Sequence, residues 1–287
     1  MRLIQKDPML GNHHGRRRLL RTIAVFPTLF TLGNLVCGFF AIVIAARIDA
    51  PKSPLPEMSD LTDVMLSAWL VFAAMLFDAL DGYVARLSRA TSDFGAQLDS
   101  LCDLVSFGVA PAFLLVKLCP RFAYLHREAA WVIAASYAVC AALRLARFNV
   151  ETSDEDSHLY FAGLPSPAAA ASIAGFAILF YTLQREETRP VFADQIYAVL
   201  QAVLPFFAVL VALLMVSRIP YPHVVNQVFR GQRSFGHLVR LIFVLVAVMV
   251  VRGYAVPIVC CAFVLGAPIR YYWQRFVLHL HREDPLF

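Results

Sequence analysis

Long apolar blocks separated by short polar stretches make up most of the chain. A membrane-spanning helix needs about 20 predominantly apolar residues. By that measure the sequence predicts eight spans, at about 24–46, 64–86, 98–118, 129–148, 165–184, 196–216, 237–253 and 254–272. The last two are so closely joined that their boundary is the least defined. The remaining loops are short and leave no room for a separate soluble domain. The loop 47–63, "RIDAPKSPLPEMSDLTD", is polar, contains proline and carries more acid than base.

The basic start "MRLIQKDPMLGNHHGRRRLLRT" runs into the first block much as a signal peptide would. The block at 24–46 is longer than a signal peptide's apolar core, and no small-residue cleavage site follows it cleanly. It is expected to remain as the first span. Composition agrees with a membrane protein: 60% of the 287 residues are hydrophobic, against about half in soluble domains. Mean hydropathy is +0.66.

Orientation follows from Lys and Arg, which concentrate in cytoplasmic loops. With the N-terminus inside, the outer segments keep only Arg47, Lys52, Lys117, Arg121, Arg127, Arg185, Arg189 and Arg252 of the 25 Lys and Arg. Both termini and the turn between the second and third spans are therefore predicted to face the cytoplasm. The net charge of +5 suits anionic lipid heads. It does not indicate nucleic acid, because the basic residues sit at span ends without a nucleic-acid motif. The six cysteines form no CxxC and lie mostly within spans, as small core residues do. Neither a disulfide framework nor a zinc site is expected.

Against this apolar background, "DALDGYVARLSRATSDFGAQLDSLCD" (78–103) places Asp78, Asp81, Asp99 and Asp103 in or beside the membrane. The second span ends near Leu87, "SRATSD" turns the chain, and the third starts near Phe94. Both aspartate pairs then lie on the order of 10–15 Å from the turn. Spacings of three and four residues put the members of each pair on one helix face. Two antiparallel helices can thus aim four carboxylates at one spot. An ionised carboxylate in hydrocarbon costs a few kcal/mol, and four together repel. Two divalent cations would cancel the charge; oxygen ligands suit Mg²⁺, Mn²⁺ or Ca²⁺ rather than zinc. A two-metal site is a device for phosphoryl or phosphodiester chemistry.

Gly82, Ala85 and Gly95 would let helices or a ligand approach closely. Arg86, a turn beyond Gly82, can grip a phosphate with two hydrogen bonds. The plainer account is a set of snorkelling or paired charges, Asp81 with Arg86 and Asp93 with Arg89. Four aspartates on matched faces, with glycine in the gaps, argue against it.

Read as a pattern, the stretch is D-x2-D-G-x2-A-R-x8-G-x3-D-x3-D. It resembles the signature of the CDP-alcohol phosphotransferase family at every fixed position: Asp78, Asp81, Gly82, Ala85, Arg86, Gly95, Asp99 and Asp103. Four more stretches are similar to blocks of the bacterial-type phosphatidylserine synthases: "FPTLFTLGNLVCGFFAI" (26–42), "AALRLARFNV" (141–150), "FAGLPSPAAAA" (161–171) and "MVSRIPYP" (215–222). The resemblance covers about residues 24–222.

These blocks also have readings of their own. Arg144 and Arg147 share a helix face at the inner end of the fourth span. They would either clamp a lipid phosphate or a serine carboxylate, or anchor the helix end at the membrane surface. Asn149 follows as both donor and acceptor. "GLPSP" fits a helix start with Ser166 as N-cap and Pro167 in the first position. Asn34 is a buried amide that either bonds to neighbouring helices or lines the site. Arg218 is either an anchor or a phosphate ligand. The histidines form no cluster, and HExxH, GxSxG and P-loop motifs are absent, which speaks against serine or histidine nucleophiles.

The resemblance implies an all-α integral membrane protein with a six-helix catalytic core and an amphipathic N-terminal tail. The expected layout is a basic cytoplasmic tail (1–23), the core (24–222) and an added transmembrane hairpin with its tail (223–287). The implied reaction moves the phosphatidyl group of CDP-diacylglycerol to the hydroxyl of L-serine and releases CMP. In that reading Asp78, Asp81, Asp99 and Asp103 hold two divalent cations, Mg²⁺ or Mn²⁺. Asp103, the family's last aspartate, also serves as general base. Asp78, Gly82, Ala85 and Arg86 take the CDP part, while Arg144, Arg147 and Asn149 take serine or a lipid phosphate. The expected partners are the two substrates, membrane lipids and a second copy of the chain. Two other readings stand beside it: the same chemistry with glycerol 3-phosphate or inositol phosphate as acceptor, and a divalent-cation transporter. The transporter reading would call for repeated halves or broken helices. The sequence shows one acidic cluster and no repeat.

Overall fold

The structure, a computed structural model, describes residues 13–48, 58–88, 93–119, 122–123, 126–151, 161–185, 192–221 and 252–276. It is an all-α membrane protein. The helices are α1 (His13–Ala46), α2 (Met58–Ser88), α3 (Asp93–Asp103), α4 (Ala110–Leu118), α5 (Arg127–Glu151), α6 (Ser166–Gln184), α7 (Ala193–Val216) and α8 (Ala255–Phe276). A six-residue π-helical segment, Leu104–Val109, joins α3 to α4, so both belong to one span. Among the described residues, seven spans are long and apolar enough to cross a membrane. They correspond to seven of the eight predicted blocks. The other block, 237–253, lies almost wholly outside the described residues.

Helix ends run past the apolar limits. The second span was predicted from 64, whereas α2 begins at Met58. Its first turn holds Asp60, whose charge complements the exposed N–H groups there. Hydropathy marks the oily interior of a helix, not the polar turns that continue it. For the same reason α3 starts at Asp93, five residues before the predicted block. On the N-terminal side, α1 is continuous through the basic stretch from His13.

The centre of the bundle is α6, the most buried of the spans. Ala169, Ala170, Ala174 and Ala177 are fully buried on it. Side chains this small let neighbouring backbones come close, the main source of contact between helices surrounded by lipid. It packs against α2, α7 and α8, while α1 lies along α2, α3 and the π segment. At Gly175 a Cβ would meet the Pro257 Cα of α8 at 3.1 Å, so glycine sets that approach.

The start of α6 differs from the sequence expectation. Pro165, in an extended conformation, is the N-cap, and Ser166 is already helical and caps nothing. The "GLPSP" turn is held instead by a two-residue antiparallel bridge, β1 (Phe161–Ala162) with β2 (Pro220–Tyr221). Gly163 N–H donates to the Ile219 carbonyl at 2.9 Å, and Leu164 N–H to the Leu214 carbonyl at 2.9 Å. Gly163 has φ +89°, and a Cβ there would lie 2.8 Å from the Ser217 carbonyl oxygen. Only glycine fits both demands. The blocks at 161–171 and 215–222 are therefore two sides of one joint. The Tyr221 hydroxyl donates to the Val264 carbonyl at 2.9 Å and ties that joint to α8.

Candidate active site

Two helices supply the acids. Asp78 and Asp81 lie on the last turns of α2, Asp99 and Asp103 on α3. Carboxylate oxygens of Asp78, Asp99 and Asp103 all fall within 4.8 Å of one another. Asp81 stands beside this trio, within electrostatic reach of Asp78 and Asp99. A three-residue step advances only 300° around the helix, so Asp81 is turned from Asp78 toward α1. There its Oδ2 accepts a hydrogen bond from the Thr31 hydroxyl. The four predicted carboxylates thus form a trio with a neighbour.

At 4.8 Å and an effective dielectric of about 20, each ionised pair of carboxylates repels by about 3 kcal/mol. Burial aggravates this. Asp81 is 7% exposed, and Asp81 Oδ1 and Asp99 Oδ1 are shut off from solvent without a hydrogen-bond partner. Leaving such an atom unpaired costs about 1–3 kcal/mol, more when it is charged. A hard divalent cation answers both costs, and an all-carboxylate donor set fits one. The site residues therefore suit the ion that the sequence implies.

Gly82 and Gly95 are half-buried on α2 and α3. Ala85 and Arg86 occupy the end of α2, where side chains lie outside the described residues. Immediately after Asp103 the chain enters the π segment. Its wider turn buries Ser106, Phe107 and Gly108 against α1 and α5. π turns inside α-helices often mark functional positions.

The sequence profile of the family described as CDP-alcohol phosphatidyltransferase matches residues 24–214, which include every aspartate of the site. The chain belongs to that family. CDP-alcohol phosphatidyltransferases are transferases, and curated relatives carry matching names. The chain is similar to the CDP-diacylglycerol–serine O-phosphatidyltransferase of Helicobacter pylori, 32% identical over 206 residues, 71% of this chain and 74% of that one. It is 36% identical over 173 residues to the enzyme of the same name in Methanocaldococcus jannaschii, 60% of this chain and 72% of that one. It is also 33% identical over 207 residues to the archaetidylserine synthase of Methanothermobacter thermautotrophicus, 71% of this chain and 72% of that one.

Within this phosphatidyltransferase the basic pair separates. The Arg144 guanidinium donates to the Ser166 hydroxyl at 2.9 Å, interacts electrostatically with Asp103 and keeps a buried Nε without a partner. Arg147 donates to the Val216 carbonyl at 3.0 Å, at the C-terminal end of α7. Asn149 faces neither arginine's partner. Its amide donates to Ser100 Oγ at 3.0 Å and links α5 to α3 beside Asp99. Arg218 is exposed.

Sequence reasoning did not single out Thr31, Ser100 or Ser106. One signal was available. Thr31, Asn34 and Gly38 recur at steps of three and four on an otherwise apolar helix, the mark of a face turned inward.

Proposed function

We propose that the chain transfers the phosphatidyl group of CDP-diacylglycerol to the hydroxyl of L-serine, giving phosphatidylserine and CMP. The observation that carries this is the carboxylate trio with Arg144 beside Asp103. Three anionic ligands can gather a diphosphate's counter-ions, and the Arg144 guanidinium beside them can hold the carboxylate of an acceptor. Serine, by itself or within the name of a lipid, is common to the names of the relatives reported above.

Asp78, Asp81, Asp99 and Asp103 would hold two divalent cations, Mg²⁺ or Mn²⁺. When bound, these would neutralise the diphosphate and the departing phosphate oxygen. Asp103 takes the proton of the serine hydroxyl. The serine oxygen forms the new bond to the lipid phosphorus, and the bond from that phosphorus to the bridging oxygen of CMP breaks. Asp103 acts through its position, held within reach of the hydroxyl whose proton it takes. Gly82, Ala85 and Arg86 receive the CDP part. Arg144 receives the serine carboxylate and Arg147 braces the helix that carries it. The site and both termini face the cytoplasm. The basic tail (1–23), the core (24–222) and the C-terminal hairpin (223–287), which offers a surface for a second copy, complete the reading.

Release of CMP is the direct test. Purified protein with CDP-diacylglycerol should release CMP on addition of L-serine and form phosphatidylserine. Glycerol 3-phosphate or inositol phosphate should leave the rate at background. CMP release driven by either of those, and not by serine, transfers the proposal to that acceptor.

A further inference from the structure

Outside the family signature, one face of α1 meets the acidic site. Thr31, Asn34 and Gly38 follow each other at helical spacing along that face. The Thr31 hydroxyl donates to Asp81 Oδ2 on α2. The Asn34 amide donates to Asp103 Oδ1 on α3 at 2.9 Å. Behind them, Ser106 of the π segment donates to the Asn34 carbonyl at 3.0 Å. Gly38 makes room for that residue, since a Cβ would lie 2.8 Å from the Ser106 Cα. Thr31 is 3% exposed, and Asn34 and Ser106 are fully buried.

Each of the two carboxylate bonds engages one oxygen and spares the other. On Asp81 the spared oxygen is buried and has no partner. A carboxylate held by a neutral donor on one side is oriented for a cation on the other, as the outer partners of metal ligands commonly arrange. The two carboxylates sit on different helices, and only α1 touches both through side-chain donors among the described residues.

We propose that Thr31 and Asn34 are positioning residues of the acidic site, fixing Asp81 and Asp103 so that its affinity for a divalent cation depends on α1. The proposal rests on the metal reading above. If the bonds merely glued helices together, losing them would lower stability and leave cation affinity as it was.

The test uses the full chain in detergent, without lipid or serine, and measures Mn²⁺ binding by the spectroscopic signal of the free ion. Thr31→Val keeps the side chain's shape and removes its donor; Asn34→Leu removes the amide; Thr31→Ser restores a hydroxyl. The Kd for Mn²⁺ should rise about 10–100-fold in the first two and stay within about threefold of the native value in Thr31→Ser. Excess Mn²⁺ should recover part of the turnover in Thr31→Val. Melting of the metal-free proteins reports folding, and if Asn34→Leu fails to fold, the Thr31 pair carries the test. An unchanged Kd in folded Thr31→Val overturns the proposal, as does equal weakening in Thr31→Val and Thr31→Ser. Failure of both Thr31→Val and Asn34→Leu to fold without metal marks the bonds as structural and overturns it too. Absence of saturable Mn²⁺ binding in the native protein overturns the metal reading itself, a result distinct from all of these.

Discussion

The acidic site and the Arg144–Arg147 pair are both charged groups on membrane helices, yet they dispose of their hydrogen-bonding capacity differently. Asp81 and Asp99 each keep a buried oxygen without a partner. Arg147 instead spends its charge on the Val216 carbonyl, an end-of-helix acceptor that would otherwise go unpaired. Arg144 falls between the two, with one nitrogen on Ser166 and a buried Nε to spare. A buried polar atom that the fold leaves unsatisfied costs stability, and a ligand can return it. By that measure the aspartates and Arg144 keep hydrogen-bonding capacity that a ligand could use, whereas Arg147 spends its own within the bundle.

Removing the cations should break this contrast most completely. Chelation with EDTA should abolish CMP release, and added Mn²⁺ or Mg²⁺ should restore it. Full turnover in chelator would leave the orphaned oxygens without a purpose. Asp78→Asn and Asp99→Asn should act in the same way, through lost Mn²⁺ binding.

Next in size is Asp103→Asn. Loss of a general base lowers kcat by about 10²–10⁴-fold. The KM for CDP-diacylglycerol should change far less, because the other three aspartates remain. Native turnover in this variant would exclude Asp103 as the base.

The arginines should then divide. Arg144→Lys keeps the charge but loses the two-pronged contact, worth about a factor of ten in KM for serine. KM for CDP-diacylglycerol should stay nearly constant; the reverse pattern would assign Arg144 to the lipid phosphate. In Arg147→Lys both KM values should hold and the melting temperature should fall, reflecting about 1 kcal/mol of lost hydrogen bonding. A raised KM in Arg147→Lys would erase the contrast between the two residues.

The smallest effect on activity tests the joint beneath them. Gly163→Ala forces a Cβ into a left-handed conformation at a cost of about 1–2 kcal/mol, on top of its clash with the Ser217 carbonyl. Melting should drop without a change in metal affinity. An unchanged melting temperature would mean that the β1–β2 bridge adds little to holding α6 against α7.

Much of this was legible in order of residues alone. Apolar block length located seven spans to within a few residues, because hydrocarbon thickness dictates how many residues must be apolar. Spacings of three and four within "DALD" and "DSLCD" brought the carboxylates of two helices near one another, since helical periodicity is local, but not the turn of Asp81 away from the trio toward α1. The eight signature positions carried the family. The roles of Ser166 and Arg147 were not legible. Ser166 looks like a cap by type and position, but the bridge between residues 161–162 and 220–221 sets the turn and frees its hydroxyl for Arg144. That bridge joins segments almost sixty residues apart, a contact no local pattern encodes.

The sequence by itself determined that the chain crosses the membrane repeatedly and that four carboxylates stand near one another on two successive helices. Both follow from short-range rules: the cost of exposing polar groups to lipid and the pitch of the α-helix. Only the tertiary structure decided which atoms of those carboxylates remain open. That depended on α1 arriving with Thr31 and Asn34 at the height of Asp81 and Asp103, and on Gly38 letting the π segment close against it. Such matching is fixed by how whole helices pack, where the removal of a single Cβ sets the distance between backbones.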